Sequence, residues 1–197
     1  IHFMMGGIDS NAEGESPMPG LYAIGETACS GLHGANRLGS NSLTDLLVSG
    51  KRSADAAMRY AQEAGGSPED PAVDAQAEGI VAGVRELLQR RGGDETISGI
   101  RREMRSTLEE GAGIYRDEEG TSAACEKIAE LRERYKDIEV NDKSNVFNTD
   151  LQSALELRNL LAVAETVTEA SLLRRESRGA HQRLDYTERD DENFLKH

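Results

Sequence analysis

Apolar residues recur at three- and four-residue steps along most of this chain, the mark of amphipathic helices. Between 42 and 64 the stripe is Leu43, Leu46, Leu47, Gly50, Ala54, Ala57, Met58 and Ala61. Gly50 costs a helix about 1 kcal/mol relative to Ala, so its place in the stripe predicts a close backbone contact. Residues 73–90 carry Val73, Ala77, Ile80, Val81, Val84, Leu87 and Leu88. Residues 95–110 carry Ile97, Ile100, Met104 and Leu108, and residues 121–138 carry Ala124, Ile128, Leu131, Tyr135 and Ile138. A long helix is predicted over 149–176 from Leu151, Ala154, Leu157, Leu161, Ala164, Val167 and Leu172. The first 30 residues follow another pattern, short strands and turns, with "GLYAIGET" read as a buried strand ending at Gly25. The tail "RGAHQRLDYTERDDENFLKH" loses the helical period and is expected to be extended.

Glycine and proline in "GGSPEDP", 65–71, break the pattern and mark a domain boundary. Two domains result, 1–65 with loops and one helix, and 66–197 with a helical bundle and tail. Short links between amphipathic helices imply antiparallel neighbours. The fold class is α+β but mainly α: the remnant of an α/β domain followed by an antiparallel helical bundle. The opening "IHFMMGGIDS" reads as the interior of a longer polypeptide.

Composition narrows the function. With 36 acidic against 23 basic side chains and a net charge of −13, the surface repels phosphates, which argues against nucleic-acid and anionic-membrane partners. One arginine in a pocket can still bind a small anion. The two cysteines, Cys29 and Cys125, have no metal-ligand spacing, and so few suggest a reduced cytosolic compartment. No apolar run approaches the roughly 20 residues of a membrane span, and none reads as a signal peptide. No metal site is expected: the carboxylates of "ERDDE" are adjacent rather than spaced, and belong to the surface.

The chemistry concentrates in "HGANRLGSNSLTDLL", 33–47. Ser42 with Asp45 three residues on can form a capping box at the start of the helix. The amides of Ser42 and Leu43 then lie at a helix N-terminus, where about half a positive charge collects and anions bind. Gly34 and Gly39 let the backbone pass close to a planar ligand. Arg37 offers a planar fork of donors that matches a carboxylate, and His2 can add another donor. Glu26 can accept hydrogen bonds from a pair of ribose-like hydroxyls. This is a site for a planar redox or nucleotide cofactor beside a small carboxylate. Each residue also has a plainer reading: a structural histidine, an arginine in an ion pair, a glutamate capping the next turn. Arg178, His181 and Arg183 could bind an anion in the tail, but interdomain ion pairs are the better account of them.

"HFMMGGI", "GLYAIGETACSGLHGANRLGSNSLTDLLVSG" and "ESRGAHQRLDYTERDDENFLKH", in this order, resemble the flavoprotein subunit of succinate dehydrogenase and fumarate reductase. The central helical stretch looks like that family's C-terminal bundle. The resemblance implies FAD as cofactor and hydride transfer between the flavin and succinate or fumarate. It implies electron transfer to an iron-sulfur subunit, with membrane-anchor subunits holding the assembly at the inner face of the cell membrane. By motif match, His2 of "HFMMGG" and Arg37 of "HGANR" fall where the family grips a substrate carboxylate. Glu26 matches the acid that contacts FAD, and Ser42 with Leu43 match the pair whose backbone meets the flavin.

The dinucleotide fingerprint GxGxxG after a first strand does not occur in the sequence. In the family it lies upstream, together with the flavin-linking histidine, the capping domain and the proton-shuttling arginine. No catalytic residue is therefore assigned within this chain, and the chain alone is expected to be inactive and free of FAD. L-aspartate oxidase shares a similar "GLHGANR" core and "ESRG" tail, but "HFMMGGI" and "RDDENF" favour the succinate enzyme. The alternative of another class is a non-catalytic helical module, 73–197, that docks an electron-transfer subunit.

Overall fold

A computed structural model of the chain describes residues 3–65 and 71–195. Its contacts divide it into two compact units. The first is Ile1–Asp70 with Arg178–Ala180 and Asp190–His197; the second is Pro71–Ser177 with His181–Arg189. Two pieces of the tail thus cluster with the first unit rather than with the helices that precede them. Most of the boundary segment 65–71 lies outside the described residues.

The first unit is built of loops around one helix. Strand β1, Ile8–Asp9, pairs in parallel with β2, Ala28–Cys29. Gly7 leads into β1 at φ +145°, and a Cβ there would collide with the carbonyl of Thr27, so glycine is required. The buried strand predicted for "GLYAIGET" does not form. Tyr22 makes an isolated antiparallel bridge to Glu15, and Gly25–Thr27 is a 3-10 turn. A buried parallel strand needs sheet neighbours on both sides, and the described sheet here has only β1 and β2.

Helix α1, Asn41–Ala64, follows. The face it buries is not the predicted one. Asp45, Ser53 and Ala56 are buried, whereas Leu43, Leu47 and Met58 are 71%, 77% and 57% exposed. The polar face packs because Gly14 lies against Ser53 and leaves no room for a Cβ. Gly50, expected at a close contact, has room: a Cβ there would stand 3.7 Å from Ile24 Cδ1, an ordinary contact.

The second unit is helical. Helix α2 spans Pro71–Gln89, with proline in the first turn, where its missing N–H costs nothing. Helix α3 spans Ile97–Gly111, α4 Glu118–Arg134 and α5 Thr149–Leu173. Side chains cap three of them. Thr96 accepts from the amide of Gly99, Asp117 from Gly120 and Asn148 from Leu151. Asp117 starts α4 earlier than the apolar period alone indicates.

Gly111 of α3 lies against Gly120 of α4 while Glu103 bonds Arg134, so these two helices run antiparallel. The Tyr135 hydroxyl bonds the Ala154 carbonyl and Arg116 reaches Ser171, so α4 and α5 are antiparallel too. The core between them contains Ile100, Met104, Ile128, Leu131, Leu157 and Leu161. Among the described residues only the end of α2 joins it, through buried Leu87 and partly buried Leu88. Val73 and Ile80, predicted as core, are 59% and 69% exposed.

The tail leaves the helical period and runs as irregular chain with bends, turns and one short strand. Its two-residue strand β4, Gln182–Arg183, pairs in parallel with β3, Tyr115–Arg116. The free cysteines Cys29 and Cys125 are partly buried. No helix among the described residues is long and apolar enough to cross a membrane.

Candidate functional site

The loop between β2 and α1 carries the site. It ends in Ser40, a non-glycine residue at φ 64°, a conformation unusual enough to mark a constrained turn. Ser40, not Ser42, occupies the N-cap position, and its side chain makes no capping hydrogen bond. The predicted capping box is absent because Asp45 has better partners. The Asp45 carboxylate is buried, meets His33 Nε2 at 3.1 Å and accepts from Ser49 Oγ at 2.5 Å. Ser42 and Leu43 stand in the first turn of α1, so their amides are at a helix N-terminus without a side-chain cap.

Arg37 is half-buried on the same loop. Its guanidinium stacks on the Phe3 ring, 4.8 Å from Cζ to centroid, and Nη1 donates to the Leu38 carbonyl at 3.0 Å. Nε is buried without a hydrogen-bond partner among the described residues. Phe3 in turn meets His33 edge to face, with centroids 5.2 Å apart and planes at 84°. Glu26 is exposed and accepts from the Met4 amide through Oε1 at 2.9 Å. The segment Phe3–Met4 is thus where Arg37 and Glu26 converge. His2, the other predicted substrate residue, lies outside the described residues.

Beside this cluster is an open concavity lined by Met5, Ala28, Cys29, Leu32, His33 and Asp45, among others. No described group of histidine, cysteine and carboxylate side chains is arranged to hold a metal ion. The residues present fit a planar anionic cofactor. Gly34 and Gly39 have no atom within 4 Å of where a Cβ would stand, so the backbone is open to close approach. The uncapped α1 N-terminus offers donors and positive partial charge.

Phe3, His33 and Ser49 did not stand out in the sequence, and Asp45 did so only as a cap residue. Phe3 adjoins His2 and His33 opens "HGANR", but the pairing of His33 with Asp45 spans 12 residues and leaves no periodic signal. The tail cations have internal partners. Arg183 pairs with Asp185, and Arg178 with Asp191. His181 is held neutral: Nδ1 accepts from Arg116, which has no lone pair to offer, so Nε2 carries the proton toward the Arg174 carbonyl. Burial, then the neighbouring arginines, push its pKa down.

This geometry agrees with what the chain resembles. Residues 1–43 match the model of an FAD binding domain, so the chain is of the FAD-binding flavoprotein class. Residues 101–197 match the fumarate reductase flavoprotein C-terminal region. The chain is 53% identical over 197 residues to the fumarate reductase flavoprotein subunit of Haemophilus influenzae, covering 100% of this chain and 33% of that protein. It is 40% identical over 207 residues to the succinate dehydrogenase flavoprotein subunit of Rickettsia bellii, covering 100% and 34%. A solved Escherichia coli quinol fumarate reductase chain superposes with a TM-score of 0.93 at 47% identity, covering 98% of this chain and 33% of that one. The chain belongs to the family of fumarate reductase and succinate dehydrogenase flavoprotein subunits, as its motifs indicated. It spans about a third of the length of the curated relatives it matches.

Proposed function

We propose that the polypeptide carrying this chain is an FAD-dependent oxidoreductase that interconverts succinate and fumarate. FAD, when bound, supplies the hydride acceptor and donor. Arg37 pairs with one carboxylate of the dicarboxylate and, with His2, holds the substrate's central carbons in reach of the flavin. The amides of Ser42 and Leu43, at an uncapped helix N-terminus, would hold the flavin and would favour negative charge on it. Glu26 holds a ribose hydroxyl. The observation that carries this reading is Arg37 itself, stacked on Phe3 with a buried Nε that has no partner among the described residues, on the loop that ends at an uncapped helix N-terminus.

The chain supplies part of a substrate site and part of a flavin cradle, and is inactive alone. Residues 1–65 are the end of the FAD-binding domain and 66–197 the helical domain. Electrons pass to an iron-sulfur subunit, held at the inner face of the membrane by anchor subunits. The exposed Val73 and Ile80 of α2 favour a docking role for the helical domain in that assembly.

Arg37→Lys in the complete flavoprotein tests the reading. The change keeps the charge and removes the bidentate fork. We expect a loss of about 2–4 kcal/mol in transition-state stabilisation, read as kcat/KM for succinate oxidation. Unchanged catalytic efficiency would take Arg37 out of the site.

A further inference from the structure

Arg37 has two tethers among the described residues. One is local, the hydrogen bond from Nη1 to the carbonyl of the next residue, Leu38. The other is the Phe3 ring beneath the guanidinium, and that ring belongs to a segment more than thirty residues away in sequence. A tether of one local hydrogen bond leaves the plane of the guanidinium free to swing about the long side chain. Stacking on an aromatic face removes that freedom, because the planar cation must lie over the ring.

Phe3 is itself held. The His33 ring meets it nearly at a right angle, the preferred arrangement for two aromatic rings. His33 is held in turn by Asp45, and Ser49 holds the second oxygen of that carboxylate. Asp45 and Ser49 stand four residues apart on α1, the most regular element of this unit. The contacts therefore run without a gap from a rigid helix, through His33 and Phe3, to Arg37. The loop has a further anchor between His33 and Arg37, where the Ala35 carbonyl accepts from the Ala180 amide at 3.0 Å. A buried carboxylate is costly to maintain unless it is paired, and here its partner is the histidine that supports Phe3.

We propose that Asp45, His33 and Phe3 are positioning residues that set the plane of the Arg37 guanidinium for a substrate carboxylate. None of the three needs to touch substrate. The proposal rests on the reading of Arg37 as the carboxylate anchor. Its consequence is specific: loss of the relay weakens the grip on a dicarboxylate, and does so only through Arg37.

The test uses the complete, FAD-loaded flavoprotein and the dissociation constant of malonate, a non-reacting dicarboxylate, read from the flavin absorbance change. Phe3→Leu should raise that constant about three- to tenfold, the size expected for loss of a partly desolvated cation–aromatic contact. It should raise KM for succinate similarly while kcat changes less than twofold, with flavin content unchanged. Phe3→Tyr keeps the ring and should restore wild-type binding. Asp45→Asn keeps the shape of the side chain, removes its charge and should also weaken malonate. In an Arg37→Lys background Phe3→Leu should add nothing. If Arg37→Lys weakens malonate but Phe3→Leu and Asp45→Asn leave it within twofold of wild type, the relay is overturned and the substrate reading stands. An undiminished effect of Phe3→Leu in the Arg37→Lys background also overturns it. If Arg37→Lys itself leaves malonate binding unchanged, the substrate reading fails and the relay fails with it.

Discussion

Asp185 closes a bidentate pair on the buried guanidinium of Arg183, with Nε to Oδ1 and Nη2 to Oδ2 both at 2.7 Å. The remaining Arg183 nitrogen, Nη1, donates to the Ser171 carbonyl at 3.1 Å in the last turn of α5. A cation is thereby placed where the carbonyls of a helix end collect negative partial charge. The Tyr186 ring lies 5.0 Å from Arg183 Cζ, and Ser177 Oγ accepts from the Arg183 amide. This part of the "RGAHQRLDY" motif is a structural lock on the helical unit.

Asp185→Asn leaves Arg183 buried with its charge only distantly answered, by Glu118 at 3.9 Å. Breaking a buried pair from one side costs about 3–5 kcal/mol, and the residual Glu118 contact puts the expected loss near the lower figure. Urea denaturation of the chain followed by far-ultraviolet circular dichroism measures it. A shift below about 0.5 kcal/mol, the level of an ordinary surface substitution, would contradict the lock.

Acid should weaken the same unit. The hydrogen bonds from Arg183 hold the Asp185 carboxyl down at about 2. Those from Arg134, then Lys127, hold Glu103 at about 2 as well. Free aspartate and glutamate titrate near 3.9 and 4.3, so both groups are depressed on folding. Their stabilisation is fully present above about pH 4.5 and is lost as pH falls toward 2. Unfolding midpoints measured from pH 6 to pH 2 should fall in that window. Asp185→Asn with Glu103→Gln should flatten the slope, and an equally steep slope in the double variant would assign it elsewhere.

Two helix glycines should respond to alanine with opposite signs. At Gly111 a Cβ would stand 2.5 Å from the Gly120 carbonyl oxygen and 2.6 Å from Ala124 Cβ, so α3 and α4 must part. Overpacking of this kind costs about 1–3 kcal/mol. At Gly50 there is room, and Gly50→Ala should gain up to about 1 kcal/mol from helix propensity. Thermal melts of the two variants should move in opposite directions; a stabilised Gly111→Ala would refute the close approach.

The chain by itself should not bind FAD. The cofactor is held largely through its pyrophosphate, at a glycine-rich turn absent from this sequence. The contacts offered here are Glu26 and the amides at Ser42 and Leu43, at the end of a helix whose apolar face is exposed. Titration of the 197 residues with FAD, followed by fluorescence quenching, should show no saturable micromolar binding. Saturation in that range would place the main cofactor contacts within this chain.

Some of this was legible in the sequence because it is local. An α-helix repeats within four residues, so Ala154, Leu157, Leu161 and Ala164 declare both the helix and its buried face, and α5 buries those residues. The sequence motifs "HFMMGG" and "HGANR" likewise carry the family by residue identity alone. Apolar period also located α1 and α2, yet it misjudged what each of them buries. A stripe states that a face is apolar; whether a neighbour covers it depends on residues elsewhere. In α1 the glycine at 14 seats Ser53, and the histidine at 33 claims Asp45, so a polar face is the buried one. Only the tertiary structure could join Phe3 to Arg37 and His33 to Asp45. These pairings span loops with no repeat to read. They exist because turns at Gly7, Gly25 and Ser40 fold distant segments onto one helix end, and short-range periodicity holds no record of that.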